Sequence, residues 1–373
     1  MSGLALREEQ VWGDRYVVIA AVILAGLGLL SVFASTGIHS GLSGLRGQAQ
    51  GLVIAIFACL TLIQVPSRLL MRFALVLALC ALALFIITLF TDVGVMKNGA
   101  RRSMRVGPIF LMPAELAKPA LVLLAAKVLT CWGSWDRLTR GCYAALGVVI
   151  LALMVATKDL GTPLVIVMTL GAMWFLSGAK VTHVLSVIGL GVGGVLTLIT
   201  VAPHRMRYVS AWLDPFCQQV SAEGMRACLD ASAALRASYM AIADGGLSGS
   251  PLGGGQGPMH LLEGHNDFIG AVVAEQFGLL GFGMLALLFV ILIARSLRLA
   301  HLTDEPDLGL VAAGCGVVIG LQGLIHLAVV SGSIPPKGLT LPLVSVGTSS
   351  LVATGILLGM LLRLGREQAW KQR

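Results

Sequence analysis

Long apolar runs alternate with short polar segments along the whole chain, and the length of each run decides what it is. Ten runs stand out, near residues 16–35, 49–65, 73–91, 114–130, 143–157, 164–176, 181–201, 268–294, 308–330 and 346–362. About 20 apolar residues in a helix cross a bilayer, whereas the strands of a membrane barrel need only about ten, in strict alternation. The pattern therefore predicts an all-α integral membrane protein, a polytopic bundle of about ten transmembrane helices forming a single domain over residues 1–373. The fifth and sixth runs are short, and the KDLGTP segment joining them must reach a surface or be buried in protein, because unsatisfied backbone is not tolerated against lipid. The first run exceeds a signal-peptide core and follows several acids, so it reads as an uncleaved first helix.

The longest interruption, about residues 202–267, is expected to form an extracytoplasmic loop between helices 7 and 8. Connections of that length are usually functional or disordered. It ends in DGGLSGSPLGGGQGPMHLLEGHNDFIGAVVAEQ, from Asp244 to Gln276, which is too polar and glycine-rich to span yet runs straight into an apolar helix. His260, Glu263, His265 and Asp267 crowd together there, and ionisable groups clustered beside lipid mark a candidate reaction site. Its glycines match neither a P-loop nor a dinucleotide fingerprint, which leaves a flexible surface loop as the plain reading. Cys217 and Cys228 are spaced to close a small disulfide loop on an oxidising face, or to remain free thiols. No metal-ligand spacing is recognisable. The GxxxG at Gly316 to Gly320 reads as helix packing.

Composition sharpens this picture. The 373 residues are 57% hydrophobic and only 12% charged, against about 25% charged in soluble domains, and the mean hydropathy is +0.91. The net charge of +8 then points to anionic lipid headgroups or an anionic lipid-linked substrate, not to nucleic acid. With both termini cytoplasmic, that side holds slightly more than half of the 26 Lys and Arg, a weak positive-inside preference that leaves a basic outer face. Within it, the loop VMKNGARRSMRVGPIFLMPAELAK gathers Lys97, Arg101, Arg102 and Arg105, followed by Glu115 and Lys118. Guanidinium forks suit phosphate oxygens, and several together suit a pyrophosphate. Asp267 opens a helix, where a carboxylate is equally a favourable N-terminal residue. Glu275 lies about two turns further on the same face and needs a partner, for which Glu115, Lys118, Lys158 and Asp159 are candidates.

These residues resemble the SEDS proteins of bacteria, of the FtsW and RodA type. NGARRS with PAELAK is similar to that family's NGARRW and PSELxK, and KDLGT to PDLGT. EGHNDFIGAVVAEQFGLLG is similar to EAHTDFIFAVIGEELGLIG, and PPKGLTLPLVSVGTSS to PTKGLTLPFISYGGSS. The order is kept over nearly the whole chain, and PKGLTLP is closer to the division branch, FtsW, than to the elongation branch.

The resemblance implies a glycosyltransferase that polymerises lipid II on the outer face of the bacterial inner membrane during septal wall synthesis. It would work with a class B penicillin-binding protein and other membrane proteins of the division complex. It places Asp267 at the family's aspartate, as the general base or the residue that positions the acceptor hydroxyl. Arg101, Arg102, Lys118 and Lys337 would hold the pyrophosphate, with Glu115, Asp159, Glu275 and Ser349 supporting. Glu115 and Lys118 would also form an ion pair near the cavity. No cofactor is assigned, and a divalent cation, magnesium or manganese, is left open. Ser103, Asn266, Gln276, Val346 and Thr348 depart from the family's residues. A lipid II transporter and an inactive scaffold for a transpeptidase are the alternatives.

Overall fold

The computed structural model describes residues 13–40, 42–97, 100–107, 109–157, 161–186, 189, 193, 203–219, 224–251 and 266–371. The described helices are α1 (Arg15–Ser40), α2 (Ser43–Gln64), α3 (Ser67–Arg72), α4 (Ala74–Phe90), α5 (Pro113–Cys131), α6 (Arg137–Ala156), α7 (Gly161–Leu176), α8 (Pro203–Leu213), α9 (Met225–Gly245), α10 (Ile269–Leu302), α11 (Pro306–Val330) and α12 (Thr348–Lys371). Six of these are long and apolar enough to cross a membrane, and α4 and α7 are shorter apolar helices. The expected seventh run, 181–201, falls largely outside the described residues.

Helix α11 is the axis of the bundle. It packs against α10, α12, α5 and α7 and is buried along nearly its whole length. Its glycines make this closeness feasible: a Cβ on Gly316 would fall 2.0 Å from Ser296 Oγ, and one on Gly320 would fall 2.2 Å from the Ile293 side chain. The GxxxG segment is thus a seam between α11 and α10, as small residues allow in membrane helix pairs. Around this axis, α12 lies along α2, and α4 packs on α5 and α6. The outer helices turn large apolar residues such as Val22, Phe57 and Leu280 outward, each more than 60% exposed, which suits a hydrocarbon surround.

Two connections differ from the helical expectation. The basic loop before α5 folds as an antiparallel meander of β1 (Gly94–Lys97), β2 (Ala100–Val106) and β3 (Ile109–Leu111). The long loop before α10 contains α8 and α9, and α9 packs along α10.

Candidate active site

Asp267 stands immediately before α10, on the turn at Asn266–Phe268. Opposite it runs the irregular segment between α11 and α12, which carries PPKGLTLP. The two are in direct contact: a Cβ on Gly338 would sit 2.7 Å from Asp267 Oδ2. A side chain at 338 would press on the carboxylate and displace it. Lys337 precedes that glycine and is partly exposed.

The juxtaposition is held by hydrogen bonds to backbone. Ser345 Oγ accepts from Leu341 N at 2.7 Å and donates to Asn266 O at 2.8 Å, tying the turn before α10 to the turn before α12. His326, on α11 and 1% exposed, accepts at Nε2 from Gly270 N at 3.3 Å and lies 2.6 Å from Leu339 O through Nδ1. Because Nε2 accepts, the ring proton is on Nδ1 and is donated to Leu339 O. One neutral imidazole therefore satisfies an orphan amide in the first turn of α10 and fixes the residue next to Gly338.

A second buried chain of polar groups supports the same segment. Lys118 donates to Glu115 and to Gln322 Oε1. Gln322 Nε2 donates to Thr340 O at 2.8 Å and Thr340 Oγ1 at 3.0 Å, and Thr340 Oγ1 is 2.9 Å from Ser350 Oγ. Glu115, Lys118 and Gln322 are each at most 3% exposed. Buried charges persist only when paired and hydrogen-bonded, and this chain ties α5, α11 and α12 to Thr340 in the PPKGLTLP segment. The Lys118 ammonium is thus engaged with Glu115 and Gln322 and supports the turn. Ser349 accepts from Met112 N and donates to Phe110 O, both at 2.9 Å, and so joins the start of α12 to β3 and α5.

The described start of the glycine-rich stretch, residues 245–250, crosses α10. Helix α10 breaks at Gly278 (φ 64°, ψ −167°), a conformation reserved in practice for glycine. Residues 245–250 cross this break so closely that a Cβ on Gly278 would fall 2.3 Å from Leu247 O. Leu279 N donates to Gly246 O at 2.9 Å, and Ser250 N to Glu275 O at 2.8 Å. These glycines permit backbone-to-backbone approach, so this part of the loop is not a free surface segment. Glu275 is buried there, 1% exposed, beside Gln276 at 7%.

Arg101 and Arg102 are neighbours on β2. Arg101 donates to Thr91 O at 2.8 Å and lies 3.8 Å from Asp92 Oδ1, while Arg102 is exposed. The Arg105 guanidinium lies over the Phe110 ring. Cys217 and Cys228 are bonded to each other, Cα to Cα 6.1 Å. Asp159, Lys158, His260, Glu263 and His265 lie outside the described residues. Among the described residues, no three His, Cys, Asp or Glu come together in a way that could hold a metal ion.

Sequence reasoning missed His326 and Gln322, although they had a signal: LQGLIHL places two polar side chains four residues apart in an otherwise apolar run, hence on one helix face.

The comparisons with known proteins come to the same place. A family described as cell cycle protein, embracing FtsW, RodA and SpoVE, matches residues 15–369. A probable peptidoglycan glycosyltransferase FtsW of Nitrosococcus halophilus is 33% identical over 366 residues, covering 95% of this chain and 92% of that protein. A solved chain from a study of the structural coordination of polymerization and crosslinking by a peptidoglycan synthase complex superposes with a TM-score of 0.75 at 28% identity. That match covers 95% of this chain and 98% of the other. The rod shape determining protein RodA of Thermus thermophilus superposes with a TM-score of 0.67 at 27% identity, covering 95% and 97%. With the family match running through nearly every described helix, the chain belongs to the FtsW, RodA and SpoVE family of cell cycle proteins.

Proposed function

We propose that this protein is a peptidoglycan glycosyltransferase that polymerises lipid II, with Asp267 as the group that takes the proton from, or positions, the acceptor sugar hydroxyl. The observation that carries this reading is the contact between Asp267 and Gly338, which sets a carboxylate at the mouth of α10 beside the turn bearing Lys337. In the reaction, the acceptor's 4-hydroxyl oxygen bonds to the anomeric carbon of the lipid-linked sugar while the bond from that carbon to the pyrophosphate breaks. The proton passes to Asp267, and the electron pair leaves on the pyrophosphate. Lys337, with Arg101 and Arg102 from the meander, stabilises the charge on the departing diphosphate. Glu115, Lys118, Glu275 and Ser349 hold the surrounding backbone.

The Asp267 end of the bundle is the extracytoplasmic one in this reading, with both termini cytoplasmic. The Cys217–Cys228 bond supports that orientation, since disulfides persist in oxidising compartments. A class B penicillin-binding protein would cross-link the strands, by analogy with the polymerization and crosslinking complex, and other division-complex membrane proteins would join them. Purified protein given lipid II should build glycan strands, and Asp267→Asn should slow this by about 10²–10⁴-fold with KM little changed. Full polymerisation by Asp267→Asn would remove the base assignment.

A further inference from the structure

The bonded cysteines tie together two helices that grip the exit of α11. Helices have carbonyls at their C-terminal end with no partner inside the helix, and the last carbonyl of α11 and one just beyond its cap are satisfied from the long loop. Ser238, on α9 and fully buried, donates to Val330 O at 2.7 Å. Trp212, on α8, donates its indole N–H to Gly332 O at 2.8 Å. Gly332 itself has φ +71°, and a Cβ there would collide with the Tyr239 hydroxyl at 1.9 Å. The direction in which the chain leaves α11 is thus set by side chains of α8 and α9. A few residues later the same chain presents Lys337 and lays Gly338 against Asp267.

The disulfide cross-links the exit of α8 to the start of α9, and the two helices also pack on each other. Cys217 follows α8 by four residues and Cys228 lies in the first turn of α9, so the bond closes the pair at the end away from the glycine saddle. Around it, Cys217 and Ser232 are buried, and Asp214 accepts from Gln218 N at 3.0 Å and Gln219 N at 2.8 Å. The other end of α9 is pinned where Gly245 and Gly249 cross α10. With one end fixed on α10 and the other cross-linked to α8, α9 cannot shift along α11 without carrying Trp212 with it.

We propose that the Cys217–Cys228 bond is a redox-conditional brace for substrate binding: while oxidised, it holds Trp212 and Ser238 on the exit of α11 and so sets the position of the Lys337 turn. Trp212 and Ser238 are positioning residues, acting through the turn and not on substrate. This rests on the lipid II reading for the identity of the substrate. The other five cysteines are free thiols, so a reductant has a single bond to open. A water-soluble phosphine would split it to two thiols, becoming phosphine oxide with oxygen from water.

The test measures lipid II polymerisation by the purified, membrane-reconstituted protein, comparing oxidised wild type, phosphine-treated wild type, the Cys217→Ser/Cys228→Ser pair, Ser238→Ala and Ser238→Thr. Opening the bond by either route should raise the KM for lipid II about fivefold, and the serine pair should no longer respond to phosphine. Ser238→Ala should raise KM likewise, and Ser238→Thr, which keeps the hydroxyl, should recover at least half of that loss. A merely structural bond would lower the active fraction, and hence kcat, while leaving KM unmoved. A KM within twofold of wild type in both the reduced protein and the serine pair overturns the brace. If the serine pair does not fold, the phosphine-treated wild type decides the matter alone. Asp267→Asn acts on kcat, so an active Asp267→Asn protein strikes the base assignment and leaves the KM test of the brace intact.

Discussion

The two ends of the bundle use the same residue types for opposite purposes. Beside Asp267, below the exposed arginines of the meander, polar groups are buried and paired: Glu115 with Lys118, Gln322 with Thr340, His326 with Gly270 and Leu339. At the other end, where α1 begins and α12 finishes, the ion pairs lie mostly at the surface. Arg68 meets Glu305 at 2.8 Å with side chains 78% and 29% exposed, and Lys371 lies 3.6 Å from both Asp304 and Glu305. Arg295 with Asp14, at 2.6 Å, and Arg363 with Glu367, at 2.8 Å, are the more shielded pairs described there. A buried pair cannot lose one member cheaply, whereas an exposed pair exchanges its partner for water at small cost. Buried pairing is therefore concentrated around Asp267, and the other end is mostly a solvated clasp.

The sharpest way to break this contrast is Lys118→Met, which strands Glu115 in the interior. It should destabilise the protein by about 3–5 kcal/mol, read as a lowered unfolding midpoint in detergent. The double variant with Glu115→Gln should recover part of the loss, and an unshifted midpoint in Lys118→Met would deny that the pair is structural. Next comes Gly338→Ala. The new methyl would press on the far end of the Asp267 side chain, not on backbone. Stability should hold while polymerisation falls about 10²-fold, the order expected of a reacting group displaced by about 1 Å. A fall in stability as large as the fall in rate would assign the contact to folding.

The smallest effect belongs to the clasp. The Arg68 guanidinium, hydrogen-bonded to Glu305, holds that carboxyl below its ordinary value of 4.5, opposed by desolvation. A folded-state value depressed in this way contributes stability that is present above about 4.5 and is lost as pH falls through the lower value. Glu305→Gln should therefore differ slightly from wild type at neutral pH, in a salt-sensitive way, and match it in acid. A difference that persisted in acid would mean that Glu305 acts through something besides its charge.

Much of the fold could be read directly, because period and run length are local properties. The apolar runs, the small-residue seam of α11 and the acid at the mouth of α10 each announce themselves within a few residues. The meander was hidden because its strands carry three arginines in a stretch whose pairing depends on a reversal at Gly107, φ +61°. Helices α8 and α9 were too polar to register as spans. Within the site, Asp267 was legible as a residue but its setting was not: Gly338 lies about seventy residues away in sequence, and no spacing rule joins them. Lys118 illustrates the same limit: its place beside the arginines was legible, but Gln322 reaching it from another helix was not.

The all-round burial of α11 has a mechanical consequence. Outer helices answer to bilayer thickness by tilting or shifting to match the hydrocarbon, but α11 shares almost no surface with lipid. Its height is set by its protein neighbours, chiefly α10, α12, α5 and α7. The turn that α11 carries to Asp267 is thus referenced to protein, whereas a lipid-borne substrate is referenced to the headgroup plane. Membrane thickness becomes a coordinate along which those two levels meet or miss.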